Sequence, residues 1–228
     1  MHFTWFELIP SLRQYPEHVV MLAFTTILLV GISLFAKAVA GKPEDALVPD
    51  GKFTFRGLFE IIVESLHGMA ESVLGHDASI YLPVMGSLFI YIFFNNIMGL
   101  VPGFAPATDN LNTTLSIGLV SFVLYNIEGM RAHGAAYLKH FLGPVLALAP
   151  LLLIIELVSH LVRPFSLGLR LRGNMFGDHT VLTMFLNLVP IGVPVVFYAL
   201  GLFVCFIQAF VFTLLSMVYL QMATAHDH

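Results

Sequence analysis

Between Glu156 and His179 the chain carries polar side chains at regular intervals inside an otherwise apolar stretch. At about 100° per residue, Glu156, His160, Arg163, Leu167, Arg170, Asn174 and Asp178 fall on one face of a helix, with Arg172 and His179 on the opposite side. Acid, base and amide groups in such a row can line a path for protons or ions, here with a permanent cation in the middle. Arginine keeps its proton at any usable pH, so Arg170 is a poor relay member. It is suited to pairing with a carboxylate and to interrupting a continuous proton path. The only spare acids on the same helix are Glu156 and Asp178, about four and two turns away. A carboxylate on another chain is the sharper inference.

Each of these residues also has a plainer reading. Arg163, Arg170 and Arg172 could snorkel from a helix end into the headgroups. That fits Arg163 and Arg172 better than Arg170, which has apolar neighbours and lies deep in the block between Gly143 and Pro190. His160 alone would be a buried, satisfied histidine, but its place between Glu156 and Arg163 also suits a proton carrier. Gly168, Gly173 and Gly177 recur at a spacing that lets another helix approach closely, or serve plain packing.

The elements that must hold this stripe are membrane helices. Of 228 residues, 58% are apolar and 11% charged, against about a quarter charged in a soluble domain. Several runs exceed the 18 or so uncharged residues that a helix needs to cross the hydrocarbon. The net charge of -4 and the lack of basic blocks or acidic tails argue against nucleic acid and disordered partner arms. A single cysteine, Cys205, excludes disulfides and cysteine metal sites within one chain. Residues 1–18 lack the basic start and apolar centre of a removable signal peptide.

One membrane domain, 1–228, is expected. Its first span covers residues 18–37, followed by a polar linker from Gly41 to Lys52. Residues 53–74 read as an amphipathic helix along the membrane surface, with Arg56, Glu60, Glu64, His67 and Glu71 on its charged face. Packing on a soluble partner is the other reading of that helix. Residues 80–130 hold the second span, Ile80 to Val101 with Asn95 and Asn96, and the third, centred on Leu115 to Ile127. Residues 143–223 form a hairpin: one long helix from Gly143 to about Leu188, a turn at Pro190, Gly192 and Pro194, and a second helix from about Val195 to Met222. The first would be roughly 70 Å long, over twice the hydrocarbon thickness, so it must be steeply tilted or broken near Pro164. Lys37, Lys42, Lys52, Arg56, Arg131 and Lys139 put the amino terminus outside and these basic regions on the cytoplasmic side. The fold class is therefore an all-α integral membrane protein of five to six helices.

Residues 166–175, Ser-Leu-Gly-Leu-Arg-Leu-Arg-Gly-Asn-Met, resemble the signature of subunit a of F-type ATP synthases. Gln208-Ala209-Phe210 followed by Tyr219-Leu220-Gln221-Met222-Ala223 is similar to that family's carboxy-terminal helix, and residues 96–102, Asn-Ile-Met-Gly-Leu-Val-Pro, to its second span. The resemblance covers nearly the whole chain. It implies a proton-translocating stator in the bacterial inner membrane, not catalytic by itself and without cofactor or metal, assembled with a ring of c subunits and with b subunits. Arg170 would face each c-subunit carboxylate in turn, between two aqueous half-channels. Together with the topology it implies that Glu156, Ser159, His160 and Ser166 line the cytoplasmic half, and Asn174, Asp178, His179 and Gln208 the outer half. The family often pairs an acid with a histidine at the positions of His179 and Gly201; here the second is glycine, and Asp178 beside His179 is the available acid. Arg172 stands where an apolar or small residue is usual.

Three rival classes fit less well. A proton-coupled secondary transporter often shows inverted repeats, and none is visible. An intramembrane hydrolase would need a metal cluster or an activated nucleophile, and Glu156 with His160 supplies two ligands without a clear third. A purely structural bundle leaves the polar stripe unexplained.

Overall fold

The computed structural model describes residues 4–11, 13–40, 55–134, 137, 149–188 and 192–225. The polar linker from Gly41 to Lys52, the expected helix start at Gly143, Lys139 and the turn residue Pro190 lie outside the described residues. Among the described residues there is no β-strand. The chain forms α1 (Glu17–Ala40), α2 (Phe55–Leu74), α3 (Ala78–Met98), α4 (Leu111–His133), α5 (Ala149–Leu188) and α6 (Val193–Thr224). Among the described residues, four stretches are long and apolar enough to cross a membrane: Glu17–Lys37, Glu60–Met98, Pro150–Leu188 and Val193–Thr224. Their large apolar side chains point outward at many positions, among them Ile27, Leu34, Leu169, Phe203 and Phe206. Hydrocarbon, unlike water, imposes no cost on that arrangement.

The residues cluster into two compact units, Met1–Ala107 and Thr108–His228. In the first, α1 and α2 pack on α3. Leu66 and Ala70 are buried on one face of α2, while Glu60, Glu64 and Glu71 are exposed on the other. The exposed side also carries Ile61 and Val63. Gly75 takes a positive φ of 60° and ends α2, so that α3 can fold back and bring Leu66 opposite Gly86. The amino-terminal turn is tied to the loop after α3: the Trp5 backbone N–H donates to the Gly103 carbonyl, and the Trp5 indole to that of Pro102, both at 3.1 Å. Phe6, Phe24 and Phe104 meet ring to ring beside it.

In the second unit, α4 is packed by both α5 and α6. It is capped by Asn110, whose side chain accepts from the Asn112 N–H at 2.9 Å, and stopped by Gly134 at φ 58°. Its buried face runs through Thr114, Gly118, Ser121, Tyr125 and Gly129, a row that is mostly small. A Cβ on Gly118 would lie 2.6 Å from the Pro164 carbonyl oxygen, and one on Gly168 would lie 3.0 Å from that of Thr114. The α4 and α5 backbones can touch because both positions are glycine. Ser121 and Ser216 add a buried hydroxyl pair at 2.7 Å between α4 and α6. The expected third span, α4, is not among the four apolar stretches, and part of its polarity lies on the packed side, in Thr113, Thr114 and Ser121.

The long helix is not broken at Pro164. It runs continuously from Ala149 to Leu188, 40 residues or about 60 Å. Pro164 removes one backbone bond, the one to the His160 carbonyl, without ending the helix. Of the two expectations, tilt is therefore the one that a membrane about 30 Å thick requires. After it, Gly192 at φ 87° and Pro194 in the first turn start α6.

Candidate functional site

The stripe on α5 does not behave as one face. Taking Glu156 as zero and roughly 100° per residue, the buried side chains of Pro164, Leu171, Met175 and Leu182 centre near 80°. The polar stripe spans roughly −40° to +40°, so one edge dips into the packed interface and the other faces away from it. His160 and Leu167 lie on the inner edge and are buried, at 5% and 3% exposure. Arg170 lies on the outer edge and is exposed, as is Leu169 beside it in the chain. Among the described residues Arg170 forms no ion pair and no side-chain hydrogen bond.

The remaining polar residues fall into two groups on either side of it. Toward the start of α5, Glu156 lies 3.8 Å from Arg163, and the Arg163 guanidinium sits over the Tyr219 ring of α6 at 5.2 Å. The Arg163 side chain thus joins α5 to α6. His160 Nε2 meets Asn126 Oδ1 of α4 at 2.9 Å, and the Tyr137 hydroxyl donates to the same oxygen at 3.2 Å. Burial pushes the Tyr137 phenol above its ordinary pKa, so it stays a hydrogen-bond donor. Ser159 is exposed and Ser166 half-buried.

Toward the end of α5, the Asn174 amide donates to Gln208 Oε1 on α6, the one direct bond between the helices of the hairpin among the predicted path residues. Gln208 is 2% exposed, and its Nε2 has no hydrogen-bond partner among the described residues. The same holds for Asp178 Oδ2, buried on the same inner edge. His179 is half-buried. Arg172 serves the packing of the helices, since its Nε donates to the Asp109 carbonyl at 3.1 Å and pins the turn before α4 to α5. Of the three recurring glycines, Gly168 sits at a helix crossing, while Gly173 and Gly177 have open space beside them.

Sequence reading missed Asn126 and Tyr137, and gave Tyr219 only as part of the carboxy-terminal motif, without its contact to Arg163. Asn126 is an amide inside an expected span, a signal of the same kind as Asn95 and Asn96, but its partner lies on another helix. No group of three or more metal-ligating side chains occurs among the described residues.

Comparison with known proteins decides the family. The ATP synthase A chain family model matches residues 19–221. ATP synthase subunit a of Bdellovibrio bacteriovorus is 54% identical over the full length of both chains. A relative of the same name from Geobacter sulfurreducens is 40% identical over 91% of this chain and 88% of its own, and subunit a 2 of Syntrophotalea carbinolica 39% identical over 100% and 94%. The chain belongs to the ATP synthase subunit a family. It is thus a multi-pass bacterial membrane protein of ATP synthesis and proton transport, as the resemblance of residues 166–175 implied. A permanent cation on the exposed edge of a long membrane helix, with polar groups before and after it, is an arrangement that can meet a partner's charge.

Proposed function

We propose that this chain is the stator of the proton-driven motor in the membrane sector of its ATP synthase. Arg170 faces the carboxylates of a rotating c-subunit ring, and the chain itself is not catalytic. The observation that carries this reading is the exposure of Arg170 without a partner among the described residues, on the edge of α5 turned away from α4. A lipid-facing arginine would cost about 2.5–3.5 kcal/mol on the gentlest scale, so a carboxylate from another chain is its natural complement. Attraction in a low-dielectric site is strong, yet it must be released at each step, so the pairing is transient or water-mediated.

Glu156, Ser159, His160 and Ser166 then serve the cytoplasmic half-channel. Asn174, Asp178, His179 and Gln208 serve the outer one. The buried atoms Asp178 Oδ2 and Gln208 Nε2 have hydrogen-bonding capacity to spare, as the wall of a water path needs. With Gly201 in place of the family's second titratable residue, Asp178 supplies the acid beside His179. The amino terminus lies outside and the carboxy terminus in the cytoplasm, and the charged face of α2 lies at the headgroups as part of one membrane domain. Besides lipid, the partners are the c ring and the b subunits of the peripheral stalk.

Purification of the tagged chain from membranes tests the assembly. It is expected to bring down c and b subunits in fixed proportion. A chain that purifies alone and binds a small solute would instead be a secondary transporter.

A further inference from the structure

Asn126 holds His160 by one side of its ring. The Asn126 Nδ2 group donates to the Phe122 carbonyl at 2.8 Å, one turn back on α4. A carbonyl only accepts, so this bond fixes which end of the amide is which. Oδ1 is the end that meets His160 Nε2 and the Tyr137 hydroxyl. An amide oxygen also only accepts, so His160 Nε2 must carry a hydrogen. Phe122 and Tyr125 enclose the ring edge to face, with centroids 5.0 and 5.4 Å away, and oppose a flip that would exchange its nitrogens.

We infer that Asn126 is a positioning residue that locks His160 as its Nε2–H tautomer, so that a proton taken up by the neutral ring goes to Nδ1. This rests on His160 belonging to the cytoplasmic half-channel. An imidazole with one nitrogen committed cannot pass a proton from one side of the ring to the other. His160 is then a site that stores a proton beside the path, and its charge is set against the groups around it. Among the described residues these include Glu156 and Arg163 on its own helix, Tyr125 on α4, Tyr137 beyond α4, and Tyr219 on α6, which lies under Arg163. No feature of the α5 sequence marks this role, because the residue that imposes it lies on α4.

The test uses the intact ATP synthase with isotope-labelled histidine nitrogens. The difference between wild type and His160→Phe isolates the His160 ring. At alkaline pH the wild-type ring is expected to show Nε2 protonated and Nδ1 bare, and Asn126→Leu to bring the Nδ1–H form to a comparable population. A wild-type ring protonated at Nδ1, or a tautomer unmoved by Asn126→Leu, overturns the lock. A second variant reads the consequence. Asn126→Asp still accepts from Nε2 but adds a negative charge, so the pH midpoint of ATP-driven pumping in inverted vesicles should rise by about one unit. In a His160→Phe background the same substitution should leave the profile in place. Equal shifts with and without His160 would mean that Asn126 acts alone, which also overturns the inference. Tautomer state is read without pumping, so its failure is distinct from a failure of the Arg170 mechanism.

Discussion

Asn174 and Gln208 show how much a single polar contact in this molecule has to carry. Gln208 is almost fully enclosed and takes its hydrogen bond from Asn174. Asn174→Leu should therefore strand the Gln208 amide and destabilise the second unit by about 1–3 kcal/mol, read as a lower unfolding temperature of the purified complex. The double variant with Gln208→Leu should recover part of that loss, because both partners then leave together. Spacing alone made the residues of the stripe legible, and Arg170 stood out by its charge. Spacing could not divide the stripe. That division depends on where α4 packs, which puts His160 inside and Arg170 outside although the two differ by only about 80° around the helix. Asn126 was illegible for the same reason, since its contact with His160 joins α4 to α5 across 34 residues of sequence.

At the scale of elements, the crossing of α4 and α5 brings backbone against backbone. Gly118→Ala would drive a methyl to 2.6 Å from the Pro164 carbonyl, and backbone cannot yield as a side chain can. The expected cost is about 1–3 kcal/mol, with less of the chain accumulating in membranes. Gly31→Ala in α1 meets nothing within 4 Å and should change stability by no more than about 0.5 kcal/mol. Comparing the two by denaturation of the purified complex separates a packing effect from a general response to glycine replacement. Helix boundaries were largely legible because charge, glycine and proline mark them: α3 covers Ala78–Met98 against an expected Ile80–Val101, and α6 Val193–Thr224 against Val195–Met222. Whether Pro164 would break α5 was not legible. A proline removes a single bond, and neighbouring helices decide whether the helix survives that loss.

At the scale of the whole molecule, the proposed orientation makes the two ends distinguishable. A cysteine at Ser11 should react with a membrane-impermeant maleimide in right-side-out vesicles, and one at Ala225 in inverted vesicles. Native Cys205, buried in α6, should react in neither. The reverse pattern would exchange the two half-channels. The most direct test of the stator mechanism is Arg170→Ala, assayed in inverted vesicles for ATP-driven proton pumping alongside the amount of assembled complex. Complex at wild-type levels with pumping lost is the predicted result; an assembled complex that still pumps vigorously would contradict it.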